Sequence, residues 1–247
     1  MRGGDHTLLG QRRSAWAWLV TGSAIVVLGV AVTMAIWWAV TKERRVTSYR
    51  VLGALDGITL DLGGADAEIV GGRDAPVVDV RHTDRFSYGR PSVNARSVSG
   101  GMLRIRSRCP TTVFDTCAVS YRLTVPNNVP VTIQTGSGNV SLAGFRGSAR
   151  ITTDGGSIAA TSYCGFLLQA RAGSGDVSTS AACAPEQLDV RSRSGGIRVV
   201  VPAGRYRIDA ESDGGDVAVR GLTPADDAPF RIQALSGTGD IDLAAGP

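Results

Sequence analysis

The sequence predicts an all-β fold: a β-solenoid with about 20 residues per coil, preceded by a single transmembrane α-helix. Glycine is abundant, at 32 of 247 residues, while aromatic residues make up only 6%, so the core must be thin and aliphatic. Similar short segments, among them TTDGGSIA, AGSGDVST and SRSGGIRV, recur at nearly constant intervals. One uncharged apolar stretch near the N-terminus stands apart from this array.

The charge distribution separates the N-terminal segment from the rest of the chain. Residues 1–45 contain six basic and two acidic residues, which accounts for the whole net charge of +4. Residues 46–247 contain 20 arginines and 20 acidic residues. The basic excess therefore flanks the apolar stretch, and the main body has no net electrostatic attraction for nucleic acid.

Residues 15–40 (AWAWLVTGSAIVVLGVAVTMAIWWAV) are 26 residues without a charge, and about 20 apolar residues suffice to cross a bilayer core. All four tryptophans lie near the two ends of this run, as in interfacial aromatic belts: Trp16, Trp18, Trp37 and Trp38. A cleaved signal peptide is the alternative. Its apolar region is shorter, and the following TKERR is a poor cleavage context, so we expect a retained transmembrane helix.

The orientation of this helix is decided mainly by the cysteines. Both flanks are basic, so the positive-inside rule hardly discriminates. All four cysteines follow the apolar run, and an even number suits disulfides in an oxidising compartment. We expect a cytoplasmic tail at 1–14, a juxtamembrane linker at 41–50, and the remainder outside the cytoplasm.

The repeat is defined by a marking glycine in each unit. Successive marking glycines are spaced by about 20 residues, and the interval from Gly215 to Gly239 is the longest. The marking glycines are Gly138, Gly156, Gly175, Gly195, Gly215 and Gly239. The residue two positions later is always β-branched: Val140, Ile158, Val177, Ile197, Val217 and Ile241. The residue three positions earlier is always small: Thr135, Thr153, Ala172, Ser192, Ser212 and Ser236. Steps of two on either side of the glycine are the periodicity of β-strands.

Each unit therefore reads as strand, tight glycine turn, strand and return loop. We expect regular coils over 131–247, stacked in sequence order at about 4.8 Å so that equivalent aliphatic residues touch. The glycines are expected to supply a positive φ in the turn, and the small residues to fit a crowded bend. The last interval is longer because TPADDAPF, 223–230, inserts into a return loop, which suits its prolines.

Residues 51–130 are predicted to form a degenerate repeat and an N-terminal cap. ITLDLGGADAEI resembles a repeat unit in which Ala65 takes the place of the marking glycine. The segment 81–97 is expected to be a loop, and strands are expected near MLRIRS and YRLTVP.

The cysteines provide a test of the stacking. Cys164 precedes Gly175 by almost the same distance along the chain as Cys183 precedes Gly195, so the two sulfurs would meet in adjacent coils. We pair Cys164 with Cys183, and Cys109 with Cys117 across a short loop. The two other connectivities that four cysteines permit stay open.

The repeat segments TGSGNVSLAG, AGSGDV, VPAGRYRIDAESDGGDVAV and LSGTGDIDL resemble the putative-adhesin, β-strand-repeat family of bacterial envelope proteins, a domain of unknown function. The resemblance covers about 50–245. It implies a β-solenoid, often behind one transmembrane helix, and a role in the envelope or at the cell surface. No established chemistry comes with it.

The turn acids are the first place to look for a metal site. Asp176, Asp216 and Asp240 share one column with Asn139, as a calcium ladder would require. Calcium-binding β-rolls repeat about every nine residues, and Ser157 and Gly196 interrupt this column. We expect the acids to bond to turn amides instead, and we predict no metal or cofactor site.

Catalytic residues are not predicted either. His82 is the one histidine of the body and falls in the expected 81–97 loop, with no nucleophile assigned to it. Arg171, Arg191 and Glu211 share an outward column, where arginine–acid sets occur in polysaccharide-cleaving solenoids. Solvated pairing of charges across strands explains that column more simply.

The sequence therefore favours a membrane-anchored, extracytoplasmic and non-enzymatic module with an adhesin-like binding, scaffolding or envelope-stress role. Its expected partners are the membrane and an envelope glycan or surface protein, with oligomers forming through the solenoid ends. The alternative is an enzyme that acts on envelope polysaccharide.

Overall fold

The computed structural model describes residues 22–34, 37, 42–72, 76–87, 90–110 and 117–246. The chain divides into two compact units, Met1–Glu43 and Arg44–Pro247. In the first unit the structure describes a helix over 22–34, with exposed side chains, and an exposed Trp37. Trp16, Trp18 and Trp38 lie outside the described residues, as does much of the expected 15–40 span. Among the residues that are described, no helix has both the length and the apolar character needed to cross a membrane.

The rest of the described chain is built from β-strands, as the two-residue periodicity predicts. In chain order the described strands are β1 (Lys42–Leu52), β2 (Gly57–Asp61), β3 (Asp66–Gly71), β4 (Val77–Ser87), β5 (Val93–Ser99), β6 (Met102–Arg108), β7 (Ala118–Val125), β8 (Val131–Thr135), β9 (Val140–Ala143), β10 (Ala149–Thr153), β11 (Ile158–Tyr163), β12 (Leu167–Ala172), β13 (Val177–Ala181), β14 (Gln187–Ser192), β15 (Ile197–Pro202), β16 (Arg205–Ser212), β17 (Val217–Arg220), β18 (Thr223–Pro224), β19 (Arg231–Ser236) and β20 (Ile241–Gly246).

These strands form two sheets. Sheet 1 has the order β1-β4-β7-β3-β9-β11-β13-β15-β20-β17, and sheet 2 has the order β18-β16-β19-β14-β12-β10-β8-β2-β6-β5. Each coil contributes one strand to each of the two sheets. Adjacent coils pair in parallel and in register, as Ile158 does with Val140 on one side and Val177 on the other. The inward positions alternate with exposed or half-buried ones, so the aliphatic columns fill a thin core between the sheets. The predicted β-solenoid is what the chain forms.

The coils are not stacked in sequence order at the C-terminal end. The last coil, β19 and β20, lies between the coil of β14 and β15 and the coil of β16 and β17. Ile197 therefore pairs with Ile241, which in turn pairs with Val217. The prediction that the coils of Ile197 and Val217 are in direct contact is wrong. The chain leaves one coil position empty after β15, forms β16 and β17 beyond it, and then fills the position with β19 and β20.

The segment 223–230 makes this return. Its first residues form β18, which pairs with the start of β16 at the edge of sheet 2. Thr223 and Ala225 donate their amides to β16-side carbonyls, while Pro224, which has no amide hydrogen, sits between them. The insert is thus partly an edge strand where only loop was expected.

The N-terminal end is interleaved in the same way. The degenerate repeat, β2 and β3, lies between the coil of β6 and β7 and the coil of β8 and β9. Beyond β6 and β7, the sheets end in antiparallel strands: β4 pairs with β7, and β5 pairs with β6. Much of the expected 81–97 loop is therefore strand, and the expected 41–50 linker lies almost wholly in β1, which flanks β4.

The two ends differ in how they are covered. At the N-terminal end, β1, β4 and β5 extend over the last regular coil. At the other end, the inward positions of β17 are open, since Val217 and Val219 are 43% and 40% exposed, whereas Val199 in the equivalent position of β15 is fully buried. The core therefore closes at the N-terminal cap and is open at β16 and β17.

Candidate functional site

The corner of each coil, where the marking glycine lies, requires glycine for a different reason from the one expected. None of the six marking glycines has a positive φ. A Cβ built on any of them would lie closer than 3.0 Å to the backbone of the neighbouring coil, as at Gly156, where it would meet the carbonyl of Gly138. Close stacking of one turn on the next excludes a side chain here, so the expectation of a left-handed turn was wrong.

The small residue three positions before the glycine also has a specific role. Thr153 Oγ1 accepts the amide hydrogen of Gly156 at 3.0 Å and donates to the carbonyl of Gly138 at 3.2 Å. The same pair of bonds is made by Thr135, Ser192, Ser212 and Ser236. The hydroxyl therefore links each coil to the next. Ala172 is the one member of the column that lacks it.

The turn acids act as backbone ligands, across coils and not within their own turn. Asn139 Oδ1 accepts from the amide of Ser157 at 3.0 Å, Asp176 Oδ1 from Gly196 at 2.8 Å, and Asp240 Oδ1 from Asp216 at 2.9 Å. These oxygens are engaged by amides, and within the described residues no group of three or more His, Cys, Asp or Glu side chains is placed to hold a metal ion. The column therefore joins each turn to the turn of the adjacent coil.

The outward column of Arg171, Arg191 and Glu211 is interrupted in space. Leu235 lies between Arg191 and Glu211 in the register, because the last coil is inserted there. The arginines pair instead with the buried Asp189, at 2.8 Å for Arg191 Nε–Oδ1 and 3.6 Å for Arg171 Nη2–Oδ2. All three residues nevertheless line one surface pocket of about 400 Å³, together with Leu235.

Both disulfides join the cysteines as predicted, Cys164 with Cys183 from the repeat and Cys109 with Cys117 across a short loop. Cys164 and Cys183 occupy adjacent coils with a Cα–Cα distance of 4.8 Å, and Cys109 and Cys117 have a Cα–Cα distance of 5.8 Å. All four cysteines are oxidised, which is typical of proteins in an oxidising compartment.

The N-terminal cap contains the polar site that the sequence reasoning missed. A cleft of about 430 Å³ opens between β1 of sheet 1 and β5 of sheet 2. Its base is formed by buried side chains of β4 and β7, where regular coils carry aliphatic residues, and its sides include exposed residues of β1 and β5. The lining residues are Arg45, Thr47, Tyr49, His82, Asp84, Pro91, Ser92, Asn94, Ala95, Arg96, Ile105 and Tyr121.

Hydrogen bonds order one side of this cleft. Asp84 Oδ2 accepts from the Ser92 amide at 2.9 Å and from Ser92 Oγ at 2.8 Å. Asn94 Nδ2 donates to Ser92 Oγ at 2.8 Å, and Tyr121 Oη donates to Asn94 Oδ1 at 2.7 Å. The network fixes four polar side chains from three strands and the segment before β5.

Two polar atoms of the cleft residues remain without a partner among the described residues: His82 Nε2 and Asp84 Oδ1. His82 is 8% exposed and Asp84 is 1% exposed, so His82 is not the exposed loop residue that was expected. Its ring stacks on Tyr121, with centroids 4.7 Å apart. Unpaired polar atoms at such depth are rare in native proteins and mark a position where a partner is missing.

Burial shapes the protonation of the cleft. Desolvation lowers the pKa of His82, opposed by the Asp84 charge, so the imidazole is neutral at physiological pH. Burial raises the pKa of Tyr121 to about 12. The pKa of Tyr49 is also raised, chiefly by desolvation, with Arg96 acting in the opposite direction. The site therefore has Asp84 and a neutral imidazole at its base and two arginines at its rim.

The chain can be compared with known proteins. No curated protein sequence matches the chain. Among solved structures, the chain is similar to a putative cell adhesion protein from Clostridium sporogenes, with 10% identity and a TM-score of 0.48 over 83% of this chain and 100% of that chain. A putative adhesin from Bacteroides fragilis is also 10% identical, with a TM-score of 0.43 over 82% of this chain and 97% of that chain. A putative lipid binding protein from Parabacteroides distasonis is 15% identical, with a TM-score of 0.35 over 84% of this chain and 97% of that chain.

A family model matches most of the repeat array. The match begins in β7, includes the regular coils, and ends at the first residue of β20. It agrees with the resemblance drawn from the repeat segments: residues 122–241 match the model of the Toastrack DUF4097 family.

Proposed function

We propose that this chain is a membrane-anchored, extracytoplasmic solenoid that binds an envelope component in an adhesin-like manner, without turning it over. The observation that carries the proposal is the cleft in the N-terminal cap. It is concave, of ligand size and lined by ordered polar groups, which is the usual character of a small-molecule site. The remaining coils supply a rigid stack that holds this cleft at one end.

The composition of the cleft supports binding rather than hydrolysis. Glycoside hydrolysis generally needs two carboxyl groups flanking the bond to be cleaved. Asp84 is the only carboxylate among the described residues that line the cleft. One carboxylate can hold a hydroxyl group, but it cannot divide the roles of acid and base or nucleophile with a second.

Ser92 is not arranged as a nucleophile either. Nucleophilic catalysis by serine requires a base that takes the hydroxyl proton. Ser92 Oγ donates its proton to Asp84 Oδ2 and accepts from Asn94, and its hydroxyl is not bonded to His82 in the described structure. Although Ser, His and Asp are all present, their bonds order the cleft and do not form a relay.

The extracytoplasmic location is supported by the two disulfides and by the uncharged run over 15–40. Disulfides persist in secreted and periplasmic proteins and are rare in the cytosol. The basic flanks and paired tryptophans of the run suit a bilayer anchor. Protease treatment of intact cells should remove Arg44–Pro247 while leaving the N-terminal segment with the membrane fraction.

Binding and turnover can be separated in one experiment. Full-length chain in lipid nanodiscs is mixed with purified bacterial envelope polysaccharide, and co-sedimentation and released reducing ends are both measured. We expect saturable co-sedimentation with no reducing-end release, and none of either from a reduced and unfolded control. Release of reducing ends would establish the polysaccharide-active enzyme instead, and the absence of binding would refute the proposed function.

A further inference from the structure

The unpaired atoms at the base of the cleft favour a ligand that can donate a hydrogen bond. Asp84 Oδ1 can only accept, and it has no partner in the described structure. His82 Nε2, two residues away on the same face of β4, is also unpaired. A hydroxyl group both donates and accepts, but both atoms are buried, so ring hydroxyls reach them only when the side chains that cover them move aside. An apolar ligand would leave both unpaired, and a bare anion would be repelled by Asp84.

Two arginines at the rim of the cleft, Arg45 and Arg96, favour a ligand that carries a negative charge. The guanidinium of Arg96 lies 4.4 Å from the ring centroid of Tyr49, and that of Arg45 lies 5.8 Å from that of Phe86. A stacked guanidinium keeps its N–H edge free for a planar acceptor. Neither arginine forms an ion pair with a carboxylate of the described residues. A carboxylate matches this edge in a bidentate manner.

Size and shape restrict the ligand further. A volume of about 430 Å³ is in the range of small-molecule sites and accommodates a single ring with its substituents. Tyr49 and Tyr121 also line the cleft, with Arg96 over the ring of Tyr49 and His82 stacked on the ring of Tyr121. One carboxylate and one imidazole are too few to form a typical metal site.

We propose that the cleft binds an acidic sugar: a hydroxylated ring that carries a carboxylate, as in the uronic acid residues of polysaccharides. The ring hydroxyls meet Asp84 and His82 at the base, and the carboxylate meets Arg96 and Arg45 at the rim. The inference rests on the proposed function and names the ligand class of the same cleft.

The test uses full-length chain in detergent micelles and saturation-transfer difference NMR with D-glucuronate, D-glucose and acetate as probes. We expect D-glucuronate to bind, D-glucose to bind at least about tenfold more weakly because it lacks the charge-assisted contact, and acetate not to bind. Arg96→Gln should abolish the preference for D-glucuronate over D-glucose. Arg150→Gln, an exposed arginine that pairs with Gln169 on the outer face of β10, is the matched control and should bind as the unaltered chain does.

A second variant tests the base of the cleft. Asp84→Asn keeps a carbonyl oxygen for Ser92 but removes the charge, and we expect it to weaken both sugars by about tenfold. Should that variant fail to fold, the exposed Arg96→Gln decides the matter alone. No D-glucuronate signal, or an equal signal from the Arg96→Gln chain, would overturn the inference. If polysaccharide co-sedimentation persists in that case, the proposed function stands without this ligand.

Discussion

Ile197 lies beside Ile241 in sheet 1, although the intervening chain includes a whole further coil. That coil, β16 and β17, is displaced outward by one level and forms the open end of the solenoid. The order of the coils therefore determines which aliphatic residues are buried, and this can be measured.

Val199 and Val219 occupy the same repeat position, but only Val199 is enclosed on both sides. Val199→Ala should lower the free energy of unfolding by about 2–3 kcal/mol, through lost burial and a residual cavity. Val219→Ala, at a residue 40% exposed, should cost less than about 1 kcal/mol. Urea unfolding of full-length chain gives both values. Equal losses would indicate stacking in sequence order.

The adjacent coil is expected to leave no room for a side chain at the corner glycines. Gly156→Ala would place a methyl group against the Gly138 carbonyl and should destabilise the fold by about 1–3 kcal/mol or more. Gly155→Ala is the matched control, because its nearest neighbours lie 3.8 Å away, and it should change stability by less than about 0.5 kcal/mol. The midpoints of thermal unfolding compare them, and similar midpoints would contradict this account of the corner.

The hydroxyl column can be tested in both directions. Ser192→Ala removes the bonds to Gly195 and Gly175 and should cost about 1–2 kcal/mol. Ala172→Ser restores a hydroxyl where the column lacks one and should add about 0.5–1.5 kcal/mol. Both are measured by denaturant unfolding, and a destabilised Ala172→Ser chain would show that this corner has no room for the hydroxyl.

His82 makes stability depend on pH. Its pKa in the fold is lowered below the ordinary value of 6.5, so below pH 6.5 the unfolded chain binds a proton that the folded chain does not. The free energy of unfolding should therefore fall as the pH drops through about 6.5 towards the folded pKa. His82→Gln should lose this part of the pH dependence. Urea midpoints at pH 7.5 and 5.5 provide the measurement, and an identical slope for both proteins would argue against a buried neutral imidazole.

The strands and the columns could be predicted from sequence because each aliphatic position repeats in phase. The order of the coils could not be predicted, because Ile197, Val217 and Ile241 are similar β-branched residues at the same repeat position and any two of them could pair. Polar partners carried more information: Asp242 accepts from both Arg198 and Arg220, a bridge that requires the last coil to lie between the other two. The unusually long interval from Gly215 to Gly239 was the remaining sign.

The cap was harder to predict because its inward residues are polar. In RHTDRFS the buried positions His82, Asp84 and Phe86 alternate with Arg81, Thr83 and Arg85, so the period of two is present. Hydrophobicity does not reveal it, since two of the three inward side chains are hydrophilic. The same polar residues that hid the strand from the sequence form the cleft in the structure.

The interleaving of the C-terminal coil bears on how the molecule is assembled. A chain that is synthesised or exported from its N-terminus first presents β16 and β17 before the level beneath them exists. Their partners in the final fold, β19 and β20, emerge later. A nascent chain that ends before residue 231 therefore lacks the native partners of β16 and β17. The C-terminal end of the solenoid is complete only when β19 and β20 have formed.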